Sequence, residues 1–302
     1  MVKAYPNGMV PVISETAFYK ERRRVTFQII PPCNGRIFSL FTRNAWLFYL
    51  DADEYSEPQS DSTASNLPLQ KFSSDVELND IVNKVVDLCI QQLLFADGVP
   101  QAFEWVLNEI AGNVLVHSEA GYGWMQVVTY RENHRLAMIV CDSGIGIPKS
   151  MSVKYKFKND VAAIELAMRR VLPVNHNMVK EMDWLVLWQA GALAIAQNSM
   201  GIFALTSSKG RVRVVEGKVK AKLHFPPYNG TCVDIQFYTD KPIDLPTALW
   251  GHRPVDYMEL AFEDDKGRVV SRLRDYATSF GNRITGERIR NLLVNLLRQK
   301  SG

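Results

Sequence analysis

The order of its periodic segments predicts that this chain folds as an α+β two-layer sandwich, with helices on one face of a sheet. Apolar residues recur at helical spacing through residues 75–95 and 101–118, and the period then changes to two across residues 123–142. A second pair of strand-like runs, residues 210–225 and 230–238, comes later in the chain. Helices and antiparallel strands that are segregated along a chain typically pack as two layers.

The segments between these runs refine the predicted architecture. The polar stretch "RENHR" separates two apolar runs, which is a hairpin signal, and "DVAAIELAMRRVL" (160–172) is helical again. The two later strand-like runs are separated by prolines and a glycine, which predicts a second hairpin that turns there. Residues 173–200 join a polar loop to an apolar stretch and give no clear period.

Shifts in composition divide the chain into four parts. Residues 1–51 form a predicted α/β segment, in which "VTFQIIPP" (25–32) has the composition of a strand stopped by prolines. Residues 52–75 are poor in apolar residues and rich in Ser, Asp and Pro, which is typical of a linker. A main domain over residues 76–240 and a C-terminal segment over residues 241–302 follow.

The overall composition excludes several classes of protein. The chain has 302 residues, 47% of them hydrophobic, and a formal net charge of +3, which is too small to argue for a nucleic-acid partner. No apolar run is long enough to span a membrane, and "MVKAYPNGMVPV" lacks the core of a signal peptide. The four cysteines show no metal-binding spacing. We therefore expect a cytoplasmic protein with buried free thiols and no membrane contact.

One predicted helix carries a stripe of polar residues beside its apolar face. In "NEIAGNVLVHSEAG" (108–121), Glu109, Asn113 and His117 follow one another at intervals of four, so they stack along one side of the helix. Asn is a poor helix former because its amide competes for backbone hydrogen bonds. A carboxylate, an amide and an imidazole in one line therefore indicate a functional face.

A second signal follows the first predicted hairpin. "IVCDSGIGIP" (139–148) ends a strand in an acid followed by two glycines, which marks a turn or a close approach of the backbone to something else. Glu-x-x-x-Asn on a helix, then Asp-x-Gly-x-Gly, then the Gly-Thr of "NGTCVDIQF" occur in an order that resembles the GHKL superfamily of ATP-binding domains. Histidine kinases, anti-sigma-factor kinases, gyrase and MutL belong to that superfamily. The resemblance covers residues 76–238 and implies a Bergerat-type fold with a mixed, mostly antiparallel sheet, which binds ATP and Mg²⁺.

The resemblance also implies a role for each matching residue. Asn113 would hold Mg²⁺ through its amide oxygen, and Glu109 would orient or deprotonate the attacking water. Asp142 would accept a hydrogen bond from the adenine amino group, and Thr231 would support it there. The other residues expected at the nucleotide are Gly144, Gly146, Ile147, Gly201, His117 and Lys149.

Each of these roles has an ordinary structural alternative. Glu109 and Asn113 could form a solvated helix face. His117 stands at a helix end, where an imidazole caps carbonyl groups and interacts favourably with the helix dipole. One lysine of the run after the glycine turn could neutralise phosphate charge, or the run could be a solvated loop. That run comprises Lys149, Lys154, Lys156 and Lys158.

The chain departs from the resembled family at the loop that normally covers the phosphates. That loop is rich in glycine and opens a helix whose N-terminal amides hold the phosphates. Here "QNSMGIFALTSSKG" keeps Gly201 alone, while Gln197 and Ser199 stand where other glycines are expected. Asn198 and Ser199 can still donate hydrogen bonds. We therefore expect phosphate binding with slow turnover.

The C-terminal segment contains two strand-like runs followed by a helical pattern at residues 285–299. It resembles the opening of a STAS-like domain, a fold that the partners of anti-sigma-factor kinases share. A further strand and helix normally follow, so either the chain is shortened or another chain completes the sheet. The arginines here could suggest nucleic acid, but the interspersed Glu287 favours a solvated helix face. These arginines are Arg283, Arg288, Arg290 and Arg298.

These expectations combine into one leading function. The chain is expected to be a Mg-ATP-binding regulatory ATPase whose nucleotide state controls protein association, with slow hydrolysis. The alternatives are a serine/threonine protein kinase of the anti-sigma-factor type, an ATP-driven dimerisation clamp, and a catalytically inactive scaffold. Expected partners are ATP and a protein, either a STAS-like one or a second copy. None of the five histidines begins an amphipathic helix beside an acid, so a self-phosphorylating histidine kinase is not expected.

Overall fold

The computed structural model describes residues 5–58, 66–93, 95–168, 196, 200–244, 258–263 and 269–275. The helices of these residues are α1 (Pro6–Arg23), α2 (Gly35–Arg43), α3 (Trp46–Leu50), α4 (Asp75–Gln92), α5 (Val99–His117), α6 (Gly146–Met151) and α7 (Asp160–Met168). The strands are β1 (Gln70–Phe72), β2 (Gly123–Tyr130), β3 (Arg135–Asp142), β4 (Ile202–Val215), β5 (Lys218–Tyr238), β6 (Met258–Glu263) and β7 (Val269–Asp275).

A five-stranded open sheet forms the centre of the fold, with the strand order β1-β2-β3-β5-β4. Neighbouring strands pair antiparallel at every one of these positions, so the described sheet is antiparallel throughout, where a mixed one was expected. In its middle, Cys141 of β3 lies opposite Trp124 of β2 and opposite Cys232 of β5. The α+β class predicted from the sequence is confirmed.

The larger core lies on the face of the sheet that α4, α5, α6 and α7 cover. Helix α4 begins at a cap in which the Ser74 hydroxyl accepts from the Glu77 amide (3.3 Å) and the Glu77 carboxylate accepts from the Ser73 amide (2.6 Å). Helix α5 begins after Gly98, whose φ of +77° suits glycine. The predicted helices α4, α5 and α7 are confirmed within the described residues.

The second face of the sheet is also covered, which makes the two-layer prediction wrong. Val10 and Ile13 of α1 and Trp46 of α3 form a second apolar cluster with Trp124 and Ile139 of the sheet. The molecule therefore has three layers, with the N-terminal helices on the far side of the sheet. The signal was present in β3, where "LAMIVC" is a continuous apolar run; such a run indicates a strand that is buried on both faces.

Two predictions about the N-terminal third need correction. Residues 25–32 form no strand, since the proline pair cannot donate to a ladder and Ile30 is 81% exposed. The stretch 52–75, which has linker composition, contains strand β1 at its end. Phe72 of β1 is fully buried, and this one apolar side chain anchors the three-residue strand to the core.

The second hairpin turns at a different place from the one predicted. Strand β5 runs unbroken through Pro226, Pro227 and Gly230, and the chain reverses at Glu216 and Gly217 instead. Both turn residues have positive φ, 50° and 74°, as the tight turns of two-residue hairpins require. Register shifts between Ser207 and Gly210 accommodate the irregular stretch of β5.

The C-terminal segment contributes an antiparallel pair, β6 with β7, as the sequence predicts. The helix predicted at residues 285–299 lies outside the described residues, and so do Arg283, Arg288, Arg290 and Arg298. Among the described helices, none combines the length and the apolarity that crossing a bilayer requires.

Candidate functional site

A small cavity lies where the C-terminal end of α5 meets the turn after β3 and the middle of β5. Its volume is about 30 Å³, and it is lined by Ile110, Asn113, Val114, His117, Ser118, Val140, Asp142, Gly146, Ile147, Ser150, Thr231 and Val233. Six of the residues predicted from the sequence thus come together at one place although they are far apart along the chain. These six are Asn113, His117, Asp142, Gly146, Ile147 and Thr231.

The turn after β3 is held tightly against its neighbours, and this explains its glycines. A side chain on Gly144 would collide with the backbone of Ser118, whose carbonyl oxygen accepts a hydrogen bond from Ile145 N (2.8 Å). Gly146 has a φ of +72°, and a Cβ there would lie 2.9 Å from the carbonyl oxygen of Gly230. The sequence pattern Asp-x-Gly-x-Gly therefore marks a turn whose backbone packs closely on the backbone of Ser118 and of Gly230, with the cavity beside it.

Asp142 is the acidic group of the cavity. It is only 4% exposed, and burial raises its pKa from the ordinary value of 3.8 to about 7. Backbone amides of Gly144 (2.8 Å to Oδ1) and Thr231 donate to the carboxylate and oppose part of this rise. A buried acceptor with such a pKa gains from a further donor in the cavity, because a donated hydrogen bond favours the ionised form.

Asn113 is the amide of the cavity, and its polar atoms lack partners. It is 8% exposed, and among the described residues neither its Oδ1 nor its Nδ2 has a hydrogen-bond partner. An unsatisfied buried amide costs about 1–3 kcal/mol per group, so native proteins retain one only for a reason. The orientation of this side chain into the cavity indicates that a ligand group or water satisfies it there.

Ser207 is a connecting residue that the sequence reasoning missed. Its fully buried hydroxyl donates to the carbonyl oxygen of Gly230 (2.7 Å), accepts from Ile147 N (2.9 Å) and lies 3.3 Å from the Thr231 hydroxyl. It thereby joins β4, β5 and α6 beneath the cavity. It stands in the polar run of residues 206–209 in β4, so the sequence alone did not distinguish it from its neighbours.

Four other predicted residues do not line the cavity. Glu109 is half-buried one turn before Asn113, Lys149 is exposed on α6, and Gly144 supports the turn from behind. Gly201 precedes β4 rather than opening a helix, and it packs on the backbone of Gln236. Since Gln236 is three residues beyond the cavity-lining Val233 along β5, Gly201 lies about 10 Å from the nearest part of the cavity on that strand.

Helix α1 holds the turn after β3 and the irregular stretch of β5 from the opposite face of the sheet. The hydroxyl of Ser143, next to Asp142, donates to the carbonyl oxygen of Ser14 (2.9 Å) and lies 2.6 Å from its hydroxyl. The Glu15 carboxylate accepts from both the backbone amide (2.6 Å) and the side-chain amide (2.7 Å) of Asn229. The N-terminal segment is therefore part of the support of the cavity.

A larger cavity of about 280 Å³ lies beside the beginning of α1. Asn7, Arg135 and Asp234 line it, and the Asn7 amide donates to the Asp234 carboxylate (3.2 Å). Burial raises the pKa of Asp234, while Asn7, Gln236 and nearby arginines act against the rise. This cavity shares no described residue with the smaller one, so the sequence motifs point to the smaller cavity alone.

The comparisons with known proteins leave the family of the chain open. No protein-family model matches the sequence. A search of curated proteins finds no relative either. The assignment of a function therefore depends on the cavity itself.

Proposed function

We propose that the small cavity is the base-binding end of a Mg-ATP site, and that the chain is a regulatory ATPase whose nucleotide state controls its association with a protein. The observation that carries the proposal is the pairing of Asn113, whose buried amide lacks a partner among the described residues, with the buried carboxylate of Asp142. Both groups face one cavity at the end of one helix. A ligand that donates a hydrogen bond to Asp142 and supplies a cation or a donor to Asn113 would satisfy both groups.

Adenine fits the donor requirement of Asp142. A carboxylate accepts only, so it favours the amino group of adenine and disfavours the carbonyl that guanine has at the same place. Thr231 donates its backbone amide to this carboxylate, and its hydroxyl, 3.3 Å from that of Ser207, can add a second polar contact to the base. The base would lie between Ile147 and Val140, whose apolar side chains line the same cavity.

Asn113 has the chemistry to ligate Mg²⁺ through its amide oxygen. Mg²⁺ takes few protein ligands and completes its octahedron with phosphate oxygens and water, and it would neutralise phosphate charge when bound. Within the described ranges no group of three or more His, Cys, Asp or Glu residues could hold a metal by itself, so the phosphates would have to share the ligation. Glu109, one turn away, is the carboxylate for orienting a water.

The size of the cavity bears on the rate of the proposed reaction. A volume of about 30 Å³ admits one or two waters but not a base, so nucleotide binding requires the site to widen. The tight packing of Gly144 and Gly146 makes the turn after β3 a poor place for that movement. A site that opens only rarely would turn over slowly. A site that does not open at all would leave the second candidate function, a scaffold that binds no nucleotide.

Calorimetric titration with Mg-ATP tests the proposal. Asn113→Ala and Asp142→Asn are expected to weaken binding about tenfold or more, because each removes a contact to a charged or strongly polar group. Asn108→Ala is the matched control, since Asn108 lies on the same helix but donates to the Glu104 carbonyl oxygen (3.0 Å) outside the cavity. Mg-GTP is expected to bind more weakly than Mg-ATP.

The chemistry is tested by phosphate release. Glu109→Gln is expected to keep nucleotide binding and lose hydrolysis, while transfer of labelled phosphate to a partner protein would identify a kinase. An increase in mass with a non-hydrolysable ATP analogue would identify a clamp. Wild-type protein that fails to bind Mg-ATP, or that binds ATP equally well without Mg²⁺, would contradict the ATPase and leave the scaffold.

A further inference from the structure

The β4–β5 hairpin extends beyond the sheet as an arm, which comprises residues 210–225. Strand β5 pairs with both β3 and β4 from Cys232 to Gln236, but from Lys218 to Leu223 it pairs with β4 alone. Within the part of the chain that the structure describes, no strand lies along its other side. Among the described residues the arm therefore presents an open edge with unpaired backbone N–H and C=O groups.

The open strand of the arm alternates between apolar and basic residues, "KVKAKLHF". Its apolar row is Val219 (57% exposed), Ala221, Leu223 (51%) and Phe225 (66%). The first three of these residues lie opposite Val214, Val212 and Gly210 of β4, which are buried. A contiguous apolar row on an exposed edge is costly in water, and rows of this kind mark interaction sites.

The other face of the arm is positively charged. Lys220 lies directly opposite Arg213, and Lys222 lies directly opposite Arg211. Like charges at such positions repel each other and destabilise a hairpin. Arg211 and Arg213 act to lower the pKa of Asp234, so their charge is partly matched. Among the described residues, no carboxylate lies within 4 Å of the three lysines of the open strand, Lys218, Lys220 and Lys222. The arm's only acid, Glu216, sits in the turn.

We propose that the arm binds an extended acidic segment of a partner protein, which adds as a strand to the edge at residues 218–225. Acidic side chains of that segment would lie beside the lysines, and its alternate apolar side chains would continue the row of Val219, Leu223 and Phe225. The pleat alternates sides residue by residue, so one register satisfies both faces. The proposal is independent of any nucleotide.

Charge and backbone together select this partner over others. A second copy of the arm carries the same lysines, so pairing of two arms would place like charges side by side. An anionic membrane or a nucleic acid would match the charge but would leave the backbone edge unpaired. A protein segment with alternating acidic and apolar residues uses the charge, the apolar row and the edge at once.

The test uses a labelled peptide in which Glu alternates with Val or Leu, titrated into the full chain and followed by fluorescence anisotropy. Three comparison probes are the same peptide with Lys in place of Glu, the same peptide N-methylated at alternate residues, and phosphatidylserine vesicles. The variant is Lys220→Glu with Lys222→Glu. Its matched control is Lys84→Glu with Arg131→Glu, which reverses two exposed charges on α4 and in the β2–β3 turn.

The wild type is expected to bind the acidic peptide, and the arm variant to bind it about tenfold or more weakly. The affinity of the control variant is expected to stay within about twofold of the wild type. The arm variant is also expected to gain affinity for the Lys peptide, a result that misfolding would not produce. Equal binding of the N-methylated peptide would overturn strand addition, because charge alone would then suffice. Binding to vesicles that outcompetes the peptide would overturn the assignment of the partner's class.

Discussion

At the scale of single residues, the burial of Asp142 has a measurable consequence for stability. Its pKa rises from 3.8 to about 7 on folding, mainly because burial disfavours the carboxylate. Between these values the folded state binds more protons than the unfolded state. The contribution of Asp142 therefore makes the free energy of unfolding fall as the pH rises from about 4 to about 7, and it levels off above that.

Asp142→Asn should remove this penalty, because an amide of the same shape carries no charge at any pH. We expect the variant to be more stable than the wild type by roughly 1–3 kcal/mol at pH 8, with the difference narrowing steadily toward pH 4. Urea denaturation across this pH range measures the difference. A stability difference that does not change with pH would show that Asp142 is ionised at the same pH in both states.

The sequence could identify single residues of the site only where chemistry and local spacing coincide. Asn113 and His117 share a helix face, and Asp142 and Gly146 share one turn, so short-range patterns revealed them. Ser207 meets the site only through the pairing of β4 with β5, which no local pattern encodes. Gly201 was assigned by its place in the expected order of motifs, and the strand register puts it elsewhere.

At the scale of elements, α1 controls the position of the stretch of β5 that precedes Thr231. Glu15→Gln leaves one side-chain oxygen to accept from Asn229 where the carboxylate has two. We expect a loss of roughly 1–2 kcal/mol in the free energy of unfolding, since a charge-assisted pair of hydrogen bonds is broken. Glu54→Gln, at an exposed position, is the control.

Hydrogen exchange gives the local readout for this prediction. In Glu15→Gln the backbone amide of Asn229 should exchange faster than in the wild type, because its two donors then compete for one side-chain oxygen. Amides in the middle of β2 should be unaffected beyond the global loss of stability. Unchanged exchange at Asn229 would mean that strand pairing alone holds this stretch of β5.

Elements were predictable where their period was long and their caps were explicit. Helix α4 has both, α5 has the long period but begins after Gly98 without a side-chain cap, and the β2–β3 hairpin has a polar interruption between two apolar runs. The turn at Glu216 and Gly217 was missed because the proline pair further on is the stronger turn signal. Strand β1 was missed because its pairing with β2, and not its composition, makes it a strand.

At the scale of the whole molecule, the N-terminal layer is required to keep the second face of the sheet dry. Trp46 is 1% exposed, and its indole N–H donates to the Gln126 side chain of β2 (2.9 Å), which in turn donates to Asn44 (2.6 Å). Trp46→Ala should cost about 3–5 kcal/mol and expose apolar surface on the sheet. Ile30→Ala, at an 81% exposed position, should change stability by less than about 0.5 kcal/mol.

Chemical denaturation measures this cost, and binding of a hydrophobic dye reports the exposed face. If Trp46→Ala kept the stability of the wild type, the N-terminal helices would be an accessory to a sheet that is stable without them. The expected result instead makes the N-terminal segment and the sheet one cooperative unit.

The contacts of α1 also determine when the molecule can finish folding during its synthesis. Ser14 and Glu15 emerge from the ribosome early, but their partners Ser143 and Asn229 follow 129 and 214 residues later. At ribosomal rates of 5–20 residues per second, Glu15 waits roughly 10–40 seconds for Asn229. During that interval α1 can cover β2 and β3 but not β5, so this face of the sheet is completed only after β5 has been made.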